Sequence, residues 1–454
     1  MCGFAASRFA GPAFGCPAAF GLVLAAPRGG SQCPSGGRAG TESVTIPHWL
    51  WVTLAWMLGV GPVATLLLWG VIWIRLEQTM RTVPTLRLGE RLAAADPPTG
   101  RVCVVVPAYN EARVIAGLVR SLRNETYPNA RFVLALDRCT DDTAALARAE
   151  IAGDDRFEIV EIDTCPDGWV GKVHALHAGV TRSSATANAD FLLFADADTL
   201  LSPGCIASAL ALMRNRRLDL LSLLSTLTHD TWFERVVQTT TALELMRRFP
   251  LTLANAERDR RAFANGQFLL FRRDAYEAIG GHAAVKDVVL EDVNLARLVD
   301  AGKRRVGVFM ADGLLHCRMY ADWAQFRRGW KRIFTESAKR NARRLSAWSW
   351  QIRLLGTLFP VWTLVALAFG AALIVQNALR GWSMVGLCVV ALLVWAGALV
   401  RICVTAHAPL WTAPLHIAGA WLTADLLAEA ARDVRSHTPT RWGGREYDLR
   451  SGKV

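Results

Sequence analysis

The sequence lacks charge over four long stretches, and this absence excludes a purely soluble protein. One of them, residues 402–424, contains two prolines and two histidines and could either span the membrane or lie at its interface. The other three are residues 49–74, 354–375 and 381–400. At about 1.5 Å of rise per residue, each of these three stretches makes a helix long enough to cross roughly 30 Å of hydrocarbon. We therefore predict one transmembrane helix at 47–75 and two more at 354–400.

The sequence also lacks closely spaced cysteines and an acidic residue near its start. Its ten cysteines form no CxxC pair and no zinc-like spacing, so a structural zinc site is not expected and cytoplasmic thiols should be reduced. No acid precedes Glu42, and the segment is rich in glycine, alanine, proline and serine without a signal-peptide pattern. We expect residues 1–46 to be disordered or an over-extended start.

Basic residues set the expected orientation. The net charge is +12, and residues 325–353 contain nine Lys/Arg against one Glu. Because positive flanks stay on the cytoplasmic side, we predict an inner-membrane protein in which the domain between the flanks is cytoplasmic. The basic residues are expected to contact lipid headgroups and not nucleic acid. The remaining predicted segments are a linker at 76–99, a basic interfacial segment at 336–353, an interfacial or third C-terminal transmembrane helix at 401–430, and a basic cytoplasmic tail at 431–454.

From residue 101, short apolar runs alternate with segments of helical periodicity. The runs RVCVVVP, RFVLALD, RFEIVEID and DFLLFADAD are each followed by such a segment. Strands that alternate with helices form a mainly parallel sheet covered on both faces. We therefore predict an α/β domain over 100–335, with its ligand site beyond the carboxyl ends of the strands.

Acidic side chains stand where this pattern places strand ends and helix starts. Asp196 and Asp198 follow FLLFA, where they could hold a divalent cation or form a solvated turn. Glu291 and Asp292 begin a predicted helix, where a carboxylate could act as a general base or simply favour the helix N-terminus. The local pattern leaves both pairs of alternatives open.

Two further blocks contain candidate binding groups. Asn265, Gly266 and Gln267 either line a pocket or make the turn before a strand. The block QFRRGWKR at 325–332 offers guanidinium groups that could bind a diphosphate or lipid headgroups.

The order of these blocks resembles that of family-2 glycosyltransferases with the GT-A fold. VVVPAYNE, Asp137 followed by RCTDDT, GKVHAL, FADAD, ANGQFLLFRRDAYEAIGGH and LEDVNLARLV occur in that order between about residues 100 and 335. The chain is most similar to the membrane-bound branch that includes ceramide-glucosyltransferase-like, hopanoid-associated and carotenoid glycosyltransferases. The resemblance implies a GT-A nucleotide-sugar-binding domain inserted between transmembrane helices.

The resemblance also implies roles for individual residues. Asp292 is the expected catalytic base, and Asp198 is the expected ligand of Mg or Mn on the diphosphate. His316 is either a further metal ligand or a packed strand histidine. Asn265, Gly266, Gln267 and Glu291 are expected in the acceptor or sugar pocket. The residues expected to bind the nucleotide sugar are Pro107, Ala108, Tyr109, Glu111, Asp137, Lys172, Asp196, Arg328 and Trp330.

One departure from the family pattern bears on function. The family's Q-x-x-R-W motif is interrupted here by Gly329, which weakens the assignment of Arg328 and Trp330 to the diphosphate. The expected activity is an inverting, metal-dependent transfer of a sugar from a nucleotide sugar, such as a UDP-hexose, to a lipid hydroxyl. The alternatives are a processive polysaccharide synthase, which would need the intact motif and more spans, and a catalytically silent scaffold that binds lipid or nucleotide sugar.

Overall fold

The computed structural model describes residues 48–375, 377–438, 440–442 and 445–447. The prediction for residues 1–46, and most of that for the basic tail, lie outside this part of the chain. The strands are β1 Val102–Ala108, β2 Ala130–Asp137, β3 Phe157–Ile162, β4 Phe191–Ala195, β5 Thr199–Leu201, β6 Leu220–Leu224, β7 Thr226–Leu227, β8 Phe268–Arg272, β9 Val306–Met310, β10 Leu315–Cys317, β11 Thr440–Trp442 and β12 Arg445–Tyr447.

Helices precede, separate and follow these strands. The α-helices are α1 His48–Thr82, α2 Leu86–Ala95, α3 Ile115–Arg123, α4 Thr143–Ile151, α5 Gly171–Arg182, α6 Ser184–Ala187, α7 Cys205–Arg216, α8 Thr239–Arg248, α9 Leu251–Ala254, α10 Arg273–Ala278, α11 Glu291–Ala301, α12 Trp323–Ser337, α13 Ala342–Ile352, α14 Phe359–Ile374, α15 Ala378–Thr405 and α16 His416–Arg435. Short π-helical stretches cover Glu234–Gln238 and Arg353–Leu358, and 3₁₀ stretches cover Gly281–Val285 and Leu410–Leu415.

A seven-stranded sheet forms the centre of the domain, in the order β3-β2-β1-β4-β8-β6-β9. All neighbours pair in parallel except β8, which is antiparallel to both β4 and β6. The predicted α/β class with a mainly parallel sheet is therefore confirmed.

Strand β1 illustrates why the apolar runs become covered strands. Val102, Val104 and Val106 point into one hydrophobic core, whereas Cys103 and Val105 point into a second core on the opposite face. Because side chains alternate between faces along a strand, an uninterrupted apolar run can bury both faces only between two helical layers.

The carboxyl ends of three neighbouring strands bring the acidic residues together. β2, β1 and β4 are adjacent and parallel, so Asp137, the loop after Ala108 and Asp196 emerge at the same edge. A second, three-stranded sheet has the order β5-β10-β7; its strand β5 directly follows β4 in sequence, and Cys317 of β10 pairs with Thr199 of β5. The carboxyl edge of β2, β1 and β4 is the edge at which parallel α/β sheets bind ligands.

Within the described residues, three helical stretches are long and apolar enough to cross a membrane. They are Val52–Ala95, Ala342–Ile374 and Ala378–Thr405. The last two pack as a hairpin, and a Cβ atom at Gly381 would lie 2.5 Å from the backbone nitrogen of Ile374. The α/β domain thus lies between apolar helices along the chain, as the sequence predicts.

The helix after this hairpin is not one of those three stretches. α16 packs along α12 and α13, where Ser349 donates to the carbonyl oxygen of Ala424 at 2.7 Å and Arg327 pairs with Glu429 at 2.5 Å. This packing favours the interfacial alternative for residues 401–430, which stays a prediction.

Candidate active site

A polar cavity of about 370 Å³ opens at the carboxyl edge of the sheet. The structure brings together here eight of the residues that the sequence assigns to the nucleotide sugar or its metal. They are Pro107, Ala108, Tyr109, Glu111, Asp137, Lys172, Asp196 and Asp198. We call this space the donor cavity.

Lys172, near the start of α5, bridges two acids from distant parts of the chain. Its Nζ lies 2.7 Å from Asp196 Oδ1 and 2.9 Å from Glu291 Oε1. Burial disfavours the charged ammonium, but the two carboxylates outweigh this effect and raise the pKa of Lys172. Lys172 therefore stays charged and connects the end of β4 to the start of α11.

Replacing Lys172 with methionine should destabilise the protein, because it leaves two buried carboxylates without their counter-charge. Removing one partner of a buried ion pair costs about 3–5 kcal/mol. We expect a clearly lower Tm in detergent and a weaker affinity for UDP, measured by thermal unfolding and calorimetry. The control is Lys286→Met, whose side chain is exposed. Equal Tm values for the two variants would contradict the bridging role.

Two acids of the donor cavity, Glu111 and Asp198, hold protons more strongly than in water. Burial and the neighbouring Asp196 raise the pKa of both Glu111 and Asp198 to about 7. Asp198 Oδ1 is buried and has no hydrogen-bond partner among the described residues. A divalent cation fits such a site, because Mg²⁺ and Mn²⁺ prefer carboxylate oxygens and take further ligands from substrate phosphates. No three His, Cys, Asp or Glu side chains in the described ranges could hold a metal ion by themselves.

Asp137 is held by the residue that follows it. The Arg138 guanidinium donates two hydrogen bonds to the Asp137 carboxylate, at 2.8 and 2.7 Å, and lies 5.4 Å from the centre of the Tyr109 ring. Arg138 adopts a left-handed backbone with φ 48°. A carboxylate that is fixed in this way remains an acceptor and can bind an N–H group of a nucleotide base.

A second cavity, of about 220 Å³ and mainly apolar, adjoins the first. Gln267 and Met319 line both cavities, whereas Asp292 and Asn265 line only the second. Its apolar wall comes from several elements and includes Leu245, Met246, Phe249, Phe263, Leu290, Trp330 and Ile333. We call this space the apolar cavity.

Asp292 is fixed at the wall of the apolar cavity by two backbone amides. Gly266 N–H donates to Oδ2 and Val293 N–H donates to Oδ1, both at 2.7 Å. Burial and the adjacent Glu291 nevertheless raise the pKa of Asp292 to about 7. A carboxyl group with this pKa can change protonation state near neutral pH, as a general base requires.

Gly266 lies close to both Lys172 and Asp292. A Cβ atom at this position would lie 3.1 Å from Lys172 Nζ and 3.4 Å from Asp292 Oδ2. The lack of a side chain therefore lets the candidate base approach the charged groups of the donor cavity. Glu291 lines neither cavity, but its ion pair with Lys172 connects it to the donor cavity.

Three predicted residues are not brought into the donor cavity. Arg328 is exposed on α12, and Trp330 is buried in the wall of the apolar cavity. His316 Nε2 lies 3.0 Å from the carbonyl oxygen of Gly313. Its neighbour Cys317 points to the other face of β10, where Gln267 Nε2 donates to the Cys317 sulfur at 3.1 Å.

Two polar side chains that the sequence did not single out also line the donor cavity. Arg332 and Tyr320 line it in place of Arg328 and Trp330. Gly329 leaves room for Tyr320, because a Cβ atom at this position would lie 2.2 Å from the Tyr320 hydroxyl. The glycine that interrupts the family motif thus lets Tyr320 pack against α12. Arg332 lies at the end of the basic block 325–332, which was the only sequence signal for it.

Comparison with known proteins assigns the family. A model described as "Glycosyltransferase like family 2" matches residues 97–348, which is more than half of the chain. The chain therefore belongs to the family-2 glycosyltransferases, and its fold is of the GT-A type. A comparison with curated proteins finds no match.

Several solved structures are similar in fold. Mannosyltransferase PcManGT from Pyrobaculum calidifontis, in complex with GDP-Man and Mn²⁺, is 18% identical, with 76% of this chain and 98% of that chain covered and a TM-score of 0.42. TarS 1-349 from S. aureus in complex with UDP-GlcNAc is 13% identical, with 78% and 98% covered and a TM-score of 0.37. Glucosyl-3-phosphoglycerate synthase from Mycobacterium tuberculosis, in complex with Mn²⁺, UDP and phosphoglyceric acid, is 16% identical, with 55% and 80% covered and a TM-score of 0.35.

Proposed function

We propose that the protein is an inverting glycosyltransferase that moves a sugar, from a nucleotide sugar such as a UDP-hexose, to the hydroxyl group of a membrane lipid. The supporting observation is the pair of adjoining cavities, one polar and one apolar, with Asp292 at the wall of the apolar cavity. A polar cavity suits a charged donor, whereas an apolar cavity suits a lipid acceptor.

Each group in the two cavities has a defined role in this proposal. Asp137, held by Arg138, accepts an N–H of the base, and Tyr109 lies beside it. Lys172 keeps Asp196 and Glu291 in place. Asp198, through its unpartnered oxygen, would hold Mg²⁺ or Mn²⁺, which when bound neutralises the charge that develops on the departing diphosphate.

Asp292 would take the proton from the acceptor hydroxyl as that oxygen attacks the anomeric carbon. The bond to the diphosphate breaks on the opposite face of the sugar, so the anomeric configuration inverts and no covalent enzyme intermediate forms. The amides of Gly266 and Val293 hold the carboxylate at fixed orientation during the transfer.

The location of the apolar cavity supports a reaction at the membrane surface. Thr405 and Ala406, at the end of the apolar helix α15, form part of its lining. We propose a multi-pass protein of the inner membrane, with the donor cavity on the cytoplasmic side, where nucleotide sugars are available and the basic flanks are retained.

The rate should depend on pH through Asp292. Protonated Asp292 cannot accept a proton, so with donor and metal at saturation kcat should fall about tenfold per pH unit well below its pKa of about 7 and level off above it. Initial rates between about pH 5.5 and 8.5 measure this profile. A rate that stays constant below pH 6, or rises there, would contradict a base with this pKa.

The activity itself can be tested with purified protein in nanodiscs. Labelled UDP-hexoses and a total lipid extract should give an organic-phase product that carries one sugar. Release of free sugar without a lipid product would contradict the proposed acceptor class, and a long polymer would favour the processive alternative.

A further inference from the structure

Two chain segments meet at one end of the apolar cavity. His229, after β7, lines the cavity together with Thr405 and Ala406 at the end of α15. His229 Nε2 lies 3.4 Å from the carbonyl oxygen of Ala406. We call the segments 229–235 and 405–411 the rim.

The rim carries three large apolar side chains that are more than half exposed. Trp232, Leu410 and Trp411 are 52%, 54% and 60% exposed, respectively, and line neither cavity. Exposed apolar residues that cluster in this way mark a contact with a protein or a membrane. The rim is continuous with α15, one of the three helices that could cross a membrane, so a lipid leaflet is the occupant that this position favours.

Both rim tryptophans contact other side chains of the domain. Arg235 Nε donates to the His229 carbonyl oxygen at 2.9 Å, and its guanidinium carbon lies 5.8 Å from the centre of the Trp411 ring. The Trp232 ring packs 5.0 Å from that of Trp323, at the start of α12. Arg235 therefore contacts both His229, in the wall of the apolar cavity, and Trp411, outside the cavity.

The second rim segment is anchored to the domain. His407 Nε2 lies 2.8 Å from Asp312 Oδ1, and Thr85 donates to Asp312 Oδ2 at 2.8 Å. Asp312 also lines the apolar cavity. The end of α15 and the turn after α1 are thus held to the same carboxylate beside the cavity.

On the basis of the proposed function, we propose that the rim is a portal through which the lipid acceptor passes from the leaflet into the apolar cavity. Trp232, Leu410 and Trp411 insert at headgroup depth, where the amphipathic indole ring is favoured. A lipid can then slide its chains between segments 229–235 and 405–411 while its hydroxyl approaches Asp292. The acceptor therefore does not have to cross water, where exposure of its long apolar chains would be unfavourable.

The first test compares rim variants with a matched tryptophan outside the rim. In nanodiscs, the double variant Trp232→Ser/Trp411→Ser should raise the apparent KM for the lipid acceptor by about tenfold, as expected when large apolar contacts with the leaflet are lost. The KM for the donor should not change. Phenylalanine at both positions should restore most of the loss.

Trp350→Ser is the control. This tryptophan is 59% exposed and has Arg353 5.5 Å from its ring centre, much as Trp411 has Arg235, but it belongs to α13 and to neither rim segment. An equal rise in KM for Trp350→Ser would mean general membrane anchoring and would overturn the portal. An unchanged KM for the rim variant would also overturn it.

The second test does not depend on turnover. A diacylglycerol with a photoactivatable acyl chain, at low mole fraction in phosphatidylcholine and phosphatidylglycerol nanodiscs, should crosslink to the rim and the apolar cavity. Crosslinking should fall in the rim double variant and persist in Trp350→Ser. Rim crosslinks without any glycolipid product would contradict the proposed function but support the portal, whereas product without rim crosslinks would overturn the portal alone.

Discussion

Replacing Asp292 with asparagine is expected to lower kcat by about 10²–10⁴-fold, the contribution typical of a positioned general base. Asparagine has nearly the same shape but cannot take a proton from the acceptor hydroxyl. The affinity for UDP should stay close to that of the wild type, because Asp292 lines the apolar cavity and not the donor cavity. Steady-state rates and calorimetric titration with UDP measure the two effects separately.

The matched control is Asp300→Asn, near the end of the same helix. Asp300 pairs with Arg260 at 3.2 Å and lines neither cavity, so its loss should leave kcat within about twofold, as expected for a residue outside the site. If Asp292→Asn retains the wild-type rate while Asp300→Asn does the same, the base is another group. A loss of kcat in both variants would point to damage to α11 and not to the removal of a base.

Replacing Asp198 with asparagine is expected to have the second largest effect. The change removes the negative charge from the oxygen that is buried and unpartnered in the structure. We expect Mn²⁺ to bind at least about tenfold more weakly in the presence of UDP, since even changes around metal ligands cost 10–100-fold. The rate of transfer should fall by about 10²-fold or more, because the diphosphate loses its charge stabilisation.

Electron paramagnetic resonance of free Mn²⁺ gives the binding constant without relying on turnover. Asp190→Asn is the control, since Asp190 precedes the same strand β4 and pairs with Arg101 far from the carboxyl edge. Tight Mn²⁺ binding by Asp198→Asn would contradict the assignment. Loss of Mn²⁺ binding in the Asp190 variant as well would show that β4, and not a particular carboxylate, had been disturbed.

Most of the donor cavity could be predicted from the sequence because its residues follow strands. Asp137 and Asp196 come directly after apolar runs, and parallel neighbouring strands must end at the same edge. The sequence position of these residues therefore determines their location in space. The family-2 resemblance added the roles, and the family match over residues 97–348 confirms the family itself.

The apolar cavity could not be predicted in this way. Its lining comes from α8, α11, α12, the β7 region and the end of α15, which are far apart in sequence and meet only through tertiary packing. The antiparallel direction of β8 could not be predicted either, because an apolar run does not show which way its strand runs in the sheet. The lining of the donor cavity by Arg332, and not by Arg328, depends on how α12 packs against the domain, which no local pattern reveals.

The most direct test of the proposed function is lipid analysis of a host that lacks glycolipids of this kind. Expression of the wild-type chain should yield a new lipid that carries a single hexose, detected by mass spectrometry, and NMR should show an anomeric configuration opposite to that of the donor. The new lipid should be absent when Asp292→Asn is expressed at the same level. An unchanged lipid profile from an active enzyme that consumes UDP-hexose, or a product that retains the donor configuration, would contradict the proposed transfer.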